Sequence, residues 1–215
     1  MKRTLWASAL ILGTAVGTAL VGGFGSTQVS AATFNDPTWP CLQRKVENLS
    51  LGLMWPVPLK QTETTSDLPD GARELAAQLA LRRISIEDAE PLVNSYIKAH
   101  SDINADRLGQ IFEVVFEKLA KDRRRIISGI GRYSEKQITL AGTIDETRAE
   151  MDRLMSASSP DFDAVDKLEE KLDWDERIYR DRARSLTYVC ETPVLLEKRL
   201  YAIAKLLSKH ASDGE

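Results

Sequence analysis

The residues that could carry out chemistry in this chain are few and widely spaced. The 215 residues include two histidines, His100 and His210, and two cysteines, Cys41 and Cys190. Glu-x-x-His pairs, His-Glu-x-x-His helices, nucleophile elbows and phosphate-binding loops do not occur in the sequence. An aspartate-rich run beginning at Asp161 has calcium-like spacing, but it lacks the glycine and terminal glutamate of an EF-hand loop. We therefore predict no catalytic residue, no metal site and no cofactor.

Acidic residues keep one enzymatic alternative open. A hydrolase that works with two carboxylates needs no other functional group, and the chain has 32 acidic residues. None of them stands in a recognisable apolar setting in the sequence. A carboxylate-dependent hydrolase is therefore only an alternative prediction, and we expect the protein not to be an enzyme.

The two cysteines predict one disulfide. An even number of cysteines in an exported chain most simply indicates a bridge between them. Redox catalysis is the alternative, but the Cys-x-x-Cys motif typical of that chemistry is absent. We expect Cys41 and Cys190 to be joined.

The first 32 residues indicate export. Lys2 and Arg3 precede an apolar run from Leu5 to Val21, and the small residues Val29-Ser30-Ala31 or Ser30-Ala31-Ala32 suit signal peptidase. We predict a cleaved Sec-type signal peptide over residues 1–32 and a periplasmic mature protein; an uncleaved membrane anchor is the alternative. Removal of Lys2 and Arg3 changes the formal charge from −3 to −5, and this mild acidity argues against binding to nucleic acid.

One long helix organises the rest of the chain. From Asn104 to Ala157, apolar residues recur at steps of three and four, the spacing of a coiled-coil seam. Asn104 suits the N-cap and Pro160 ends the pattern. Three polar residues, Arg123, Gln137 and Thr147, fall on the apolar stripe. Glycines near residues 128–131 predict a kink, with a break as the alternative.

The fold prediction is all-α, with a long antiparallel helical hairpin over residues 104–191. A second helix is predicted from Asp161 to about Glu191, and the short turn between the helices makes them neighbours. Thr192 and Pro193 suit the cap and first position of a separate last helix. A small helical bundle is expected at the base of the hairpin, and the disulfide is expected to staple it. The helical domain spans residues 67–215.

Shorter elements precede the hairpin. Residues 33–66 form a predicted arm with two Trp-Pro elbows, a three-turn helix over Leu42–Leu53 and a polar loop over Lys60–Ser66. A helix starting near Asp67–Asp70 has an apolar face of four residues, and Ser85 with Asp88 resembles a capping box that opens the next helix. The face residues are Ala72, Leu75, Ala76 and Leu79.

Charge is distributed unevenly along the hairpin. Residues 145–176 hold twelve acidic and four basic residues, whereas residues 118–136 hold seven basic and two acidic ones. This pattern predicts that the tip of the hairpin is acidic and binds a basic partner. It also predicts that the other end of the hairpin, its base, is positively charged and binds an anionic surface, such as phospholipid or an acidic protein. A solvated surface with local helix ion pairs is the alternative. The candidate partner surface consists of Trp39, Trp55, Lys121, Arg123, Arg124 and Arg125.

These features favour an interaction protein. We predict an exported adaptor or accessory subunit of a cell-envelope complex that binds a protein partner. A periplasmic chaperone for unfolded exported clients is the second hypothesis, and the carboxylate hydrolase is the third. Imperfect apolar seams pair between chains as well as within them, so the oligomeric state stays open.

Overall fold

The structure is a computed structural model that describes residues 36–58 and 68–212. Over these residues the protein is all-α, as predicted, and no strand occurs. Five helices follow in chain order: α1 (Leu51–Met54), α2 (Asp70–Leu79), α3 (Ile86–Ala99), α4 (Ala105–Met155) and α5 (Phe162–Ser212). The predicted signal peptide and the predicted loop over Lys60–Ser66 lie outside the described residues.

Helix α4 confirms the predicted long helix. It has 51 residues, which at 1.5 Å per residue corresponds to about 75 Å. The Asn104 side chain caps its first turn by accepting a hydrogen bond from the Arg107 amide at 2.9 Å. The helix is continuous through residues 128–131, so the alternative of a break is wrong. It ends at Met155, because the following serines and Pro160 do not sustain helical geometry.

Replacement of Asn104 by alanine should lower the free energy of unfolding by about 1 kcal/mol, because a first-turn amide would lose its acceptor. Chemical denaturation of the purified protein measures this change. The Asn104→Asp variant is the matched control, since aspartate retains a capping oxygen and should stay close to the wild type. Equal stability of the alanine and wild-type proteins would contradict the capping role.

Helix α5 corrects the predicted boundary at Thr192. The helix runs without interruption from Phe162 to Ser212 and contains Pro193 in its interior. An internal proline removes one backbone hydrogen bond and crowds the carbonyl four residues earlier. Burial on both sides of Pro193 offsets that cost, since Cys190 is 7% exposed and Leu196 is 1% exposed. The separate last helix is therefore wrong.

Helices α2 and α3 form the predicted small bundle at the base of the hairpin. The four predicted face residues of α2 are all buried. Ser85 caps α3 by accepting a hydrogen bond from the Asp88 amide at 3.0 Å. Helix α2 packs on α4 and on α3, and α3 packs on α5. The largest buried side chains of this base core are Phe112, Leu68, Leu79, Leu108, Ile111, Leu119, Leu196, Leu200, Ile203, Leu207 and Val93.

Helices α4 and α5 form the predicted antiparallel hairpin. Its register is visible where the Gln137 side chain donates to the Tyr179 carbonyl oxygen at 3.0 Å, and where Arg148 contacts Glu176 at 2.6 Å. Beyond Ile130 the buried residues of α4 are mostly polar, and only Ile144 is apolar. The three polar ones are Ser134, Gln137 and Thr147. The outer hairpin is therefore held by a weakly apolar seam, as its sequence predicts.

The predicted helix over Leu42–Leu53 is wrong for most of its length. Only Leu51–Met54 is helical, and the preceding residues are irregular. Leu42 and Leu53 are fully or almost fully exposed, at 105% and 88%. The apolar spacing of this segment is helical, but long-range bonds to the hairpin hold its backbone in another conformation.

Candidate functional site

The arm, defined as residues 36–58, is fastened to the hairpin by covalent and polar bonds. The predicted disulfide joins Cys41 to Cys190, with their Cα atoms 5.5 Å apart. The Gln43 side chain donates a hydrogen bond to the Cys190 carbonyl oxygen, and the Trp39 indole donates to the Gln43 carbonyl oxygen at 2.6 Å. These bonds hold one stretch of the arm against the middle of α5.

Arg123 fastens the next stretch of the arm from the inside. Its side chain is one-twentieth exposed, and Nη1 donates to the Val46 carbonyl oxygen at 2.6 Å. Nη2 contacts a Glu197 carboxylate oxygen at 3.4 Å. Burial lowers the pKa of Arg123 from its ordinary value, and the charge of Glu197 opposes that shift. Nε has no hydrogen-bond partner among the described residues.

Two residues of the predicted partner surface, Arg123 and Trp55, are buried. Arg123 is 4% exposed and Trp55 is 3% exposed, and the Trp55 ring stacks on Phe112 with ring centroids 5.3 Å apart. Successive residues on a helix point about 100° apart, so a run of adjacent cations cannot occupy a single face. Arg123 therefore points into the protein while its neighbours in the run do not.

The other predicted surface residues are accessible. Lys121, Arg124 and Arg125 are exposed, and Trp39 is half-buried against the arm. Arg125 contacts Asp122 at 3.4 Å, in a helix ion pair of the kind that the solvated-surface alternative predicts. These residues do not converge with Trp55 and Arg123 on one surface.

A cavity of about 630 Å³ lies between the arm and the base of the hairpin. Its apolar lining comes from all three segments, with Trp39, Val46 and Met54 from the arm, Ile127 from α4 and Val194 from α5. Charged and polar groups complete the lining. They are Arg44 and Gln43 from the arm, Arg123 from α4, and Glu197, Lys198 and Tyr201 from α5. The cavity is thus an apolar cleft with three cations and one carboxylate.

Sequence reasoning did not identify the α5 side of this cavity. The apolar face of that part of α5, which includes Leu200 and Ile203, is turned to the base core, and Tyr201 lies off it. Tyr201 is 64% exposed. A large aromatic residue outside the apolar stripe was the available signal. Only the tertiary structure shows that Tyr201 and residues of the arm line the same cavity.

The acidic tip, defined as residues 145–176, is the second candidate site. Three large apolar side chains are exposed there: Met155 at 50%, Phe162 at 62% and Trp174 at 62%. Val165 is the buried apolar residue that α5 contributes to this region. The tip therefore presents apolar groups to solvent instead of using them to close the hairpin.

Basic residues of the tip are mostly engaged with acids of the tip. Arg148 contacts Glu176 at 2.6 Å, and the Arg148 hydrogen bond lowers the pKa of that carboxyl group. Arg153 pairs with Glu150 at 2.6 Å, and Lys171 pairs with Asp175 at 2.7 Å. Since twelve acidic residues face only four basic ones, these pairs leave a surplus of negative charge.

The carboxylates of the described residues do not form a metal-binding group. Across residues 36–58 and 68–212, no group of three His, Cys, Asp or Glu side chains could hold a metal ion. Burial raises the pKa of Glu113, and the neighbouring charge of Glu117 adds to that shift. Glu113 does not line the cavity between the arm and the hairpin. The raised pKa therefore has a local cause, namely burial and the charge of Glu117.

Replacement of Glu113 by glutamine should raise the free energy of unfolding at pH 7, by about 0.2–0.5 kcal/mol from the relief of like-charge repulsion alone. A raised folded-state pKa means that Glu113 favours folding most when protonated, and that this contribution is lost as pH rises through the folded-state pKa. The advantage of Glu113→Gln should therefore vanish near pH 3. Urea denaturation at both pH values checks the sign, and destabilisation at pH 7 would show that the ionised carboxylate is needed.

No protein-family model, curated protein or solved structure matches this chain. Within the part of the chain that the structure describes, no helix has the length and hydropathy needed to cross a membrane.

Proposed function

We propose that the protein is an exported adaptor or accessory subunit of a cell-envelope complex, and that its acidic tip binds a basic partner protein. One observation carries this proposal. Helices α4 and α5 continue far beyond the base core, and their distal part exposes Trp174 and Phe162 within an acidic surface. Aromatic residues are enriched in protein interfaces, and the negative charge of the tip favours a basic partner.

The composition of the outer hairpin supports an interaction role over a purely structural one. Its seam buries polar residues such as Gln137 and Thr147, so the outer hairpin adds little apolar burial to the fold. The base core already contains the largest buried side chains. An extension that contributes little to stability while exposing apolar groups suits contact with another protein.

Export is supported by two independent features. Residues 1–32 have the charged start, apolar middle and small-residue end of a Sec-type signal peptide. The Cys41–Cys190 disulfide suits an oxidising compartment such as the periplasm. N-terminal sequencing of protein recovered from the periplasm tests the proposal. A mature chain beginning near Thr33 is expected, and retention in the cytoplasm with residue 1 intact would contradict export.

Site-specific photo-crosslinking tests the adaptor role in the native envelope. A benzophenone amino acid replaces Trp174 at the tip, and in a control protein it replaces Tyr188, which is 76% exposed and lies about four turns away on nearly the same face of α5. We expect one dominant crosslinked protein at a fixed ratio from position 174 and a much weaker product from position 188. The partner should carry a basic surface, and its yield should fall with added salt.

The alternatives give different crosslinking results. Many unrelated exported proteins crosslinked at position 174 would indicate the chaperone, whose clients are unfolded and diverse. No crosslinked product at position 174 would contradict the interaction proposal. Activity that disappears after a single acid-to-amide change in a folded variant would instead favour the carboxylate hydrolase.

A further inference from the structure

We propose that the cavity between the arm and the base of the hairpin binds an amphiphile with an apolar chain and one anionic headgroup, such as a fatty acid. This site lies apart from the acidic tip and does not depend on the adaptor role. The cavity has a volume of about 630 Å³, within the range of roughly 300–1,000 Å³ that is typical of small-molecule sites.

The walls of the cavity suit an apolar chain. Met54 and Val194 are half-buried and Ile127 is buried, and they come from three different segments of the protein. Trp39 and Tyr201 add aromatic surface at the same cavity. A hydrocarbon chain placed among these side chains would leave water for an apolar environment, which is favourable in proportion to the apolar surface buried.

The charges of the cavity select an anionic headgroup. Lys198 lines the cavity and is exposed, so it is accessible to a headgroup near solvent, and Arg44 adds positive charge to the same lining. Arg123 supplies a third, buried positive charge, and Glu197 is the one carboxylate in the lining. Three positive charges therefore face one negative charge in the lining, and a cationic headgroup would face repulsion.

The buried guanidinium of Arg123 is a second, independent observation that favours a polar ligand in the cavity. It is a guanidinium that is more than nine-tenths buried and lines the cavity. Its contact with Glu197 is long, at 3.4 Å, and its Nε atom lacks a partner in the described part of the chain. A buried cation with incomplete pairing is costly to the fold, and an anionic ligand in the cavity would reduce that cost.

Isothermal titration calorimetry with three twelve-carbon probes tests the site on the full mature protein. The probes are dodecanoate, dodecyl phosphate and dodecyltrimethylammonium, all used below their micelle concentrations. We expect dodecanoate to bind with one molecule per chain and the trimethylammonium compound to bind at least about tenfold more weakly, because its charge is reversed next to Lys198 and Arg44. Equal binding of both compounds would overturn the proposal.

Two matched pairs of variants locate the binding site. Lys198→Glu should weaken dodecanoate binding by about tenfold or more, whereas Lys205→Glu, one heptad further along α5 and outside the cavity lining, should not. Val194→Glu should abolish dodecanoate binding, because it places a charge against the hydrocarbon chain. Leu195→Glu, at a neighbouring residue that is 51% exposed, should leave dodecanoate binding intact. These positions are exposed or half-buried, and circular dichroism verifies folding. Equal effects within either pair would overturn the site.

A vesicle-flotation assay distinguishes a membrane lipid from a free amphiphile as the natural ligand. Vesicles of phosphatidylglycerol and vesicles of phosphatidylcholine are mixed with wild-type and Lys198→Glu protein. If only the wild-type protein floats, and only with phosphatidylglycerol vesicles, the result would support the site and indicate a membrane lipid as the ligand. Binding of dodecanoate without flotation would support the site and indicate a free amphiphile. Equal flotation of both proteins on both vesicles would contradict a charge-selective cavity.

Discussion

Loss of the Cys41–Cys190 disulfide should lower the free energy of unfolding by about 2–5 kcal/mol, since cross-links that close long loops remove much entropy from the unfolded chain. The two cysteines are separated by 149 residues, so the closed loop contains most of the described protein. The reference variant replaces both cysteines with serine, which avoids a free thiol. Denaturant titration of the oxidised wild type and the double variant measures the difference.

The same variant separates stabilisation of the fold from attachment of the arm. Far-ultraviolet circular dichroism should change little, because the arm contributes only the four-residue helix α1. Trp39 fluorescence should change, since the bonds around Gln43 and Cys190 hold this indole at the cavity. A double variant as stable as the wild type would show that the arm and the hairpin remain equally constrained without the disulfide.

Replacement of Trp55 by alanine should destabilise the protein by about 3–5 kcal/mol, the usual cost of truncating a fully buried large aromatic residue. Trp55 is 3% exposed and stacks on Phe112, which is itself 0% exposed. The truncation would leave a cavity in the base core and remove the main apolar contact of this end of the arm. Thermal and chemical denaturation measure the loss.

Trp174→Ala is the matched control for Trp55→Ala. Both variants remove an indole from the same protein, but Trp174 is 62% exposed at the acidic tip. Exposed substitutions away from special features usually change stability by no more than about 0.5 kcal/mol. A similar loss in both variants would contradict the placement of Trp55 in the core and of Trp174 on the surface.

Local patterns in the sequence were sufficient where neighbouring residues decide the structure. The four buried residues of α2 follow directly from their spacing, and Ser85 and Asn104 cap their helices as their residue types indicate. The disulfide follows from the even number of cysteines and the predicted export of the chain. The polar residues on the α4 stripe, such as Gln137, are buried at the positions that the periodicity assigns.

The tertiary structure decided the features in which distant segments compete. The Leu42–Leu53 spacing is helical, yet the Arg123 side chain donates to the Val46 and Glu47 carbonyl oxygens and holds the backbone outside a helix. Pro193 suits a helix start, but burial of residues on both sides keeps α5 continuous. In each case a long-range interaction outweighs a local preference whose strength is only about one to three kcal/mol.

The features of both candidate sites also fall into those that short segments of sequence determine and those that depend on contacts between distant segments. The sequence by itself determined the helical class, the hairpin, the disulfide and the charge of the acidic tip, because periodicity, residue counts and charge are properties of short segments. Only the tertiary structure showed that Arg123 is buried and that Tyr201 and Val194 meet the arm across a cavity. Such contacts depend on the direction in which a side chain points from its helix and on which segment lies there. The second of these is known only from the tertiary structure.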